Sequence, residues 1–78
     1  MQKITKEEFY KTIGKNVAKK RKAKGLSQLK LSLQMGYKSI SIVSGAEIYY
    51  KNTHFNLEHL LKISQILEVD ICEFFKES

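Results

Sequence analysis

The sequence lacks proline and tryptophan altogether, and it has only one cysteine and four glycines. Because proline and the pairs Asn-Gly and Asp-Gly are missing, the chain offers few signals for ending a helix or forming a tight hairpin, which favours an all-α fold. The single Cys72 excludes an intrachain disulfide. No hydrophobic run approaches the roughly 20 residues that span a bilayer, so we expect no membrane segment.

Acidic residues are scarce in the first two thirds of the chain. Residues 1–51 carry 12 of the 14 Lys and Arg residues and only three acids, a balance of +9, whereas residues 52–78 carry two lysines and five acids, a balance of −3. A basic front is typical of a surface that meets phosphate groups, which indicates double-stranded DNA as a partner. The alternative is a solvated, lysine-rich face, because charge alone does not identify a partner.

The residue types and spacings also exclude several functional classes. We expect residues 1–78 to form a single domain with a small core. The sequence shows no pairing of a nucleophile with a base, no glycine-rich phosphate loop and no cluster of carboxylates, so we do not expect an enzyme. His54 and His59 lie far along the chain from Cys72, so we expect no metal site, no cofactor and no small-molecule ligand. The charged N-terminal segment lacks the apolar run of a leader peptide, so we expect a cytoplasmic protein.

The first two of five predicted helices have clear start and stop signals. Thr5 and Glu8 form a capping box, and the helix that follows should end near residue 24, where Gly25 closes it. Its inward residues, four apart, are predicted to be Phe9, Ile13 and Val17. Gly14 in its interior indicates close packing against another helix. Ser27 should cap a second helix over about residues 28–35, which Gly36 ends.

Three further helices are predicted in the second half of the chain. The third begins after Ser39, points Val43 and Ala46 inward and ends near residue 49. Asn56 should cap the fourth, and Asp70 the short fifth. The inward stripe of the fourth helix is predicted to contain Leu57, Leu60, Leu61, Ser64 and Leu67.

Over residues 13–75 the sequence resembles the XRE/Cro family of lambda-repressor-like helix-turn-helix domains. The residues that carry this resemblance are Ile13-Gly14, Arg21, Gly25-Leu26-Ser27-Gln28, Leu31, Gly36-Tyr37-Lys38-Ser39, Ser44, Glu47, Asn56-Leu57-Glu58, Leu60-Leu61, Leu67-Glu68-Val69-Asp70 and Phe74-Phe75. The resemblance implies a compact five-helix fold whose third helix enters the major groove. It also implies a homodimeric, sequence-specific transcriptional regulator.

The family's functional residues can be placed on this sequence position by position. The resemblance implies phosphate contacts by Gln28, Lys38, Lys51 and Asn52, a helix cap at Ser39, and positions nearest the bases at Ile40, Ser41, Ser44 and Gly45. It implies a structural salt bridge between Arg21 and Glu47 that fixes the angle of the reading helix. Candidates for a dimer interface are Ile63, Ile66, Phe74 and Phe75, and the alternative is that these four complete the core of one chain.

The reading helix departs from the family pattern in two ways. One additional residue lies between Gly36 and Glu47, and Ile40 and Gly45 occupy positions where polar side chains usually contact bases. One explanation is DNA binding in which Ser41 and Ser44 contact bases or phosphates, Ile40 packs on a thymine methyl group and Gly45 lets the backbone come close, with specificity that is low or driven by DNA shape. The other is a protein-interaction module, antitoxin-like or antirepressor-like, that binds through an apolar surface. That surface would consist of Ile40, Ile42, Ile48, Tyr49 and Tyr50.

Overall fold

Four α-helices and two 3₁₀ turns make up the computed structural model, which describes residues 3–77. The helices are α1 (Lys6–Ala23), α2 (Gln28–Gln34), α3 (Ser41–Ile48) and α4 (Leu57–Leu67), and the 3₁₀ turns are Tyr50–Asn52 and Ile71–Phe75. No strand occurs in the described residues, so the all-α prediction is confirmed. The radius of gyration is 11.7 Å, close to the roughly 11.5 Å expected of a compact chain of this length.

Three of the four helices, α1, α2 and α4, begin where the capping residues predict. The Thr5 hydroxyl accepts the backbone N–H of Glu8 at 3.0 Å, and the Glu8 carboxylate accepts the backbone N–H of Thr5 at 3.0 Å, which completes a capping box. Ser27 caps α2 by accepting the N–H of Lys30 at 3.0 Å. Asn56 caps α4 and forms a second capping box, in which Nδ1 of His59 takes the place of a carboxylate. These local hydrogen bonds satisfy N–H groups that have no partner inside the helix.

Two glycines end the first two helices, as predicted. Gly25 has a φ of +74° and Gly36 a φ of +98°, a backbone conformation that residues other than glycine rarely adopt. Gly36 allows the chain to turn directly from α2 towards α3 within residues 35–40. The two helices therefore follow each other through a short turn.

The predicted fifth helix is instead the 3₁₀ turn Ile71–Phe75. Asp70 starts it by accepting the N–H of Cys72 at 2.9 Å. The buried amide of Asn16 donates to the carbonyl oxygens of Phe74 at 3.0 Å and Lys76 at 2.6 Å. Asn16 of α1 thus binds two carbonyl oxygens of this segment and holds the 3₁₀ turn against α1.

One apolar core joins all four helices. Its buried members are Ile13, Val17, Leu31, Met35, Val43, Ala46, Phe55, Leu60, Ile63, Leu67 and Phe74. Three residues predicted to face inward lie on the surface instead, namely Phe9, Leu57 and Leu61. Leu57 is 73% exposed, because the inward arc of α4 is centred on Leu60, Ile63 and Leu67 and leaves Leu57 and Leu61 at its edge. No helix of the described chain is long and apolar enough to cross a membrane.

Candidate nucleic-acid interface

A buried ion pair joins α1 to α3. Arg21 Nε donates to Glu47 Oε2 at 2.7 Å, and Arg21 Nη2 donates to Glu47 Oε1 at 3.1 Å, so the guanidinium binds the carboxylate with two parallel hydrogen bonds. The two side chains are only 8% and 4% exposed. A pair with this planar geometry restricts rotation of both side chains. It therefore fixes α3 relative to α1, the role predicted for these two residues.

Gln28 belongs to the same buried network. Its side-chain amide donates to Glu47 Oε1 at 2.8 Å, and Arg21 Nη1 donates to the backbone oxygen of Leu26 at 2.7 Å. The Gln28 side chain is half-buried, and one of its two N–H donors is committed to Glu47. The phosphate contact predicted for Gln28 can use only the remaining side-chain N–H and the backbone N–H at the start of α2.

Gly14 permits the close approach of α1 and α3. A Cβ atom at this position would lie 2.7 Å from the backbone oxygen of Glu47 and closer still to that of Ala46. No side chain fits there without a shift of the backbone. The prediction that Gly14 marks close helix packing is therefore confirmed.

α3 has an apolar inner face and a small outer face. Val43, Ala46 and Glu47 are buried. On the outer side, Ser41 and Ile48 are exposed and Ser44 is half-buried. The Ser44 hydroxyl donates to the backbone oxygen of Ser41 at 3.5 Å, a long bond that leaves it able to accept a partner. The outer face is thus short and largely uncharged.

The start of α3 differs from the prediction by one residue. Ile40, not Ser39, holds the N-cap position, and its side chain makes no capping hydrogen bond. Ser39 Oγ accepts the N–H of Ser41 at 3.4 Å from one residue further back. The additional residue in the turn accounts for this shift. It leaves Lys38, Ser39 and Ile40 exposed ahead of the helix.

Gly45 does not lie on the outer face, which corrects its predicted position near the bases. Its backbone is buried, and a Cβ atom there would lie 3.2 Å from Cγ2 of Thr53. The segment after α3 folds back over this glycine. Gly45 therefore provides space for Thr53 and has no access to a ligand.

The segment after α3 contains three residues in the left-handed region. Tyr49, Lys51 and Asn52 have φ values of 57°, 49° and 66°. None of the three is glycine, so each carries a conformational cost. The 3₁₀ turn Tyr50–Asn52 exposes Lys51 and Asn52 directly after α3, where the sequence predicts phosphate contacts. Nζ of Lys51 lies 5.4 Å from the centre of the Tyr50 ring.

Aromatic stacking holds this strained segment in place, a feature that sequence reasoning missed. The ring of His54 stacks on Tyr10 of α1 with 3.9 Å between ring centres, and Tyr49 stacks on the same ring at 5.9 Å. Nδ1 of His54 also pairs with the backbone oxygen of Asn52 at 2.9 Å. The only sequence signal was the density of aromatic residues between 49 and 55, which does not specify a partner on α1.

Ion pairing distinguishes two groups of lysines. Five lysines pair with carboxylates of the described residues: Lys11, Lys20, Lys24, Lys62 and Lys76. Lys30 on α2, Lys38 before α3 and Lys51 after it form no such pair among residues 3–77. Among the described residues, positive charge is therefore not neutralised by ion pairs on α2 or at the two ends of α3.

The dimer-interface candidates divide into two pairs. Ile63 and Phe74 are fully buried in the core of one chain, which corrects their assignment to an interface. Ile66 is half-buried against that core, and Phe75 is 37% exposed and stacks on Phe9. Only Ile66 and Phe75 retain surface that a second copy can contact.

Comparison with known proteins adds no relative to this description. No protein-family model matches the chain, and no curated protein matches it.

Proposed function

We propose that this chain is a sequence-specific DNA-binding transcriptional regulator of the lambda-repressor-like, XRE/Cro type. In this proposal α2 lies across the DNA backbone and α3 enters the major groove. The 3₁₀ turn Ile71–Phe75 takes the place of the fifth helix of such a fold. The observation that carries the proposal is that the buried pair of Arg21 and Glu47 fixes α3, and that Lys38 and Lys51 at its two ends form no ion pair with a carboxylate of residues 3–77.

The uncharged outer face of α3 is suited to base recognition of modest specificity. Ser41 and Ser44 offer hydroxyl groups that donate to or accept from base edges, and Ile40 can pack on a thymine methyl group. Because no side chain there can form two hydrogen bonds with one base, we expect DNA shape to contribute much of the specificity. Lys38, Lys51 and Asn52 would supply phosphate contacts that do not depend on sequence.

We infer that the regulator acts as a homodimer in the cytoplasm. Two copies of one reading helix match the two halves of a palindromic site, and a DNA-binding regulator acts where the DNA is. Ile66 and Phe75 are the candidate contacts that remain. Sedimentation velocity over a range of protein concentrations tests this inference, and a monomer at every concentration would contradict it.

Fluorescence anisotropy with labelled DNA tests the proposed function. The protein is titrated with DNA from upstream of its own gene and with a scrambled duplex, at several salt concentrations. We expect tighter binding to the native sequence and a steep loss of affinity with salt. The double variant Lys38→Gln/Lys51→Gln should weaken binding and reduce the salt slope by about 1.8 if each lysine neutralises one phosphate.

A matched control separates these contacts from the effect of net charge. Lys62→Gln/Lys76→Gln removes the same charge, but both lysines are paired with carboxylates on other parts of the surface. We expect this control to bind DNA almost as the unmodified protein does. Equal losses in both double variants would show that Lys38 and Lys51 do not contact DNA.

A protein-interaction module is the second candidate, and the exposure of three apolar side chains favours it. Ile40, Ile48 and Tyr50 are exposed beside α3, Ile48 by 68%. Ile42 and Tyr49, which the sequence also placed on this surface, are half-buried and contribute less. Absence of DNA binding even at low salt would favour this candidate. Ile48→Lys should then abolish binding to a protein partner.

A further inference from the structure

Three lysines of α1 form an exposed stripe that the proposed function does not use. Lys15, Lys19 and Lys22 are all exposed, and their spacing of four and three residues places them on one face of the helix. The opposite face of α1 contains the buried residues Ile13, Val17 and Arg21. The stripe therefore points away from the core.

The stripe forms no ion pair among residues 3–77, in contrast to the neighbouring lysines of α1 and its C-cap. Lys11 pairs with Glu7 at 2.7 Å, Lys20 with Glu73 at 3.2 Å and Lys24 with Glu68 at 2.8 Å. None of Lys15, Lys19 and Lys22 pairs with a carboxylate of residues 3–77. Lys19 borders a cleft that contains Glu73 and Glu77, but Glu73 is already paired with Lys20 and Lys76.

No ion pair among residues 3–77 stabilises this arrangement. Like charges three and four residues apart on a helix repel each other and destabilise it. A solvated helix face is usually laced with opposite charges, as Lys11 and Glu7 show one turn earlier. A face that concentrates three unpaired positive charges is suited to an external anion instead.

We propose that the stripe of Lys15, Lys19 and Lys22 is a second phosphate-binding surface, occupied by duplex DNA that extends beyond the segment contacted by α3. This inference rests on the proposed function. At 1.5 Å per residue the three lysines extend over about 10 Å of the helix, a length over which duplex DNA presents several phosphates. Because α3 packs against the Gly14 side of α1 and the stripe faces away from the core, the proposal requires that the DNA beyond α3 bends around the protein to reach the stripe.

Salt-dependent binding to duplexes of two lengths tests the proposal. One duplex has about two helical turns, enough for both half-sites of a dimer, and the other about five, with the same central sequence. For the unmodified protein we expect a plot of log affinity against log salt that is steeper on the longer duplex by about 2.7 for each bound chain, which is about 0.9 for each of three contacts. Lys15→Gln/Lys19→Gln/Lys22→Gln should remove this difference and leave binding to the short duplex unchanged.

The matched control is Lys11→Gln/Lys20→Gln/Lys24→Gln, which removes two paired lysines of α1 and the paired lysine at its C-cap. It carries the same net charge as the stripe variant, and we expect it to keep the steeper slope on the longer duplex. Thermal unfolding followed by circular dichroism checks that both variants fold.

Each other result overturns the proposal in a recognisable way. Equal losses of slope in the two triple variants would attribute the effect to net charge, and an unchanged slope in the stripe variant would leave an anion other than DNA as the partner. If the unmodified protein binds neither duplex at the lowest salt, the proposed function itself fails. If it binds both duplexes with one slope, only the stripe proposal fails.

Discussion

Arg21 of α1 and Glu47 of α3 lie 26 residues apart in the chain and meet through two buried hydrogen bonds of 2.7 and 3.1 Å. The same carboxylate accepts a third hydrogen bond from Gln28 at the start of α2. One anionic group thus joins the three helices that form the candidate interface. The orientation of α3 depends on a charge pair that has almost no access to water.

Arg21→Met should destabilise the fold by about 3 to 5 kcal/mol, because it leaves the Glu47 carboxylate buried with only the Gln28 amide as a partner. Urea denaturation followed by circular dichroism measures the loss. The double variant Arg21→Met/Glu47→Met removes both charges, and we expect it to recover most of the lost stability. A loss below about 1 kcal/mol in the single variant would show that Glu47 finds another partner.

Gly14→Ala should lower stability, although alanine is the better helix former by about 1 kcal/mol. The new Cβ would lie 2.7 Å from the Glu47 backbone oxygen, and the backbone on both sides must shift, at a cost of about 1 to 3 kcal/mol. Gly45→Ala is the matched control, because its Cβ would meet only the Thr53 side chain, at 3.2 Å from Cγ2 and 3.3 Å from Cβ, and we expect it to cost less stability than Gly14→Ala. A Gly14→Ala protein more stable than the parent would contradict the close approach of α1 and α3.

Ser32→Ala should raise stability by about 1 kcal/mol or more. The Ser32 side chain is fully buried, and its hydroxyl has no hydrogen-bond partner in the described structure. Alanine keeps the volume small and removes a polar group that lost its hydration on folding. Ser64→Ala provides the comparison. The Ser64 hydroxyl donates to the Leu61 oxygen at 2.7 Å, so this substitution removes a hydrogen bond and should not raise stability. Equal effects of the two substitutions would contradict this reasoning.

The helix starts could be predicted from sequence because their causes are local. Thr5, Ser27 and Asn56 each accept a backbone N–H three residues further on, and no distant residue takes part. The stop signals at Gly25 and Gly36 are equally local. Four of the predicted helices therefore appear at nearly the expected positions.

Features that depend on distant residues could not be predicted in this way. Helical spacing places Leu57 and Leu60 on one side of α4, but it does not show that the inward arc is centred nearer Ile63, so Leu57 is exposed. Nothing near Gly45 in the sequence indicates that Thr53 covers it. The pairing of Arg21 and Glu47 is also distant, and only the family resemblance indicated it.

His59 should make stability depend on pH in the mildly acidic range. Burial beside Tyr37 and Phe55 holds the pKa of this imidazole below its ordinary value of 6.5. Its neutral Nδ1 also accepts the Asn56 N–H at 3.1 Å, and a protonated ring cannot do so. Protonation therefore favours the unfolded chain. The contribution of His59 is complete above pH 6.5 and is lost as the pH falls through the lower pKa of the folded state.

His59→Gln tests this pH dependence with the capping box retained, because glutamine at this position can also accept the Asn56 N–H. The free energy of unfolding is measured by urea denaturation at about pH 7.5 and pH 5, a range that spans the ordinary histidine pKa. We expect the parent to lose more stability than the variant between these two values. The same loss in both proteins would assign the pH dependence to other groups.

Lys51 adopts a left-handed conformation, with φ of 49°, directly after the reading helix, and glycine adopts this conformation without strain. Lys51→Gly should therefore leave stability unchanged or raise it by up to about 1 kcal/mol. In the proposed function the same substitution removes a phosphate contact, so the salt slope of DNA binding should fall by about 0.9. Lys51→Gln removes the charge but keeps the strain, and it should reduce the slope equally with no gain in stability. These two results together would mean that the strained conformation of Lys51 serves to present its charge to DNA. A large loss of stability in Lys51→Gly, or an unchanged salt slope in both variants, would contradict this role of Lys51.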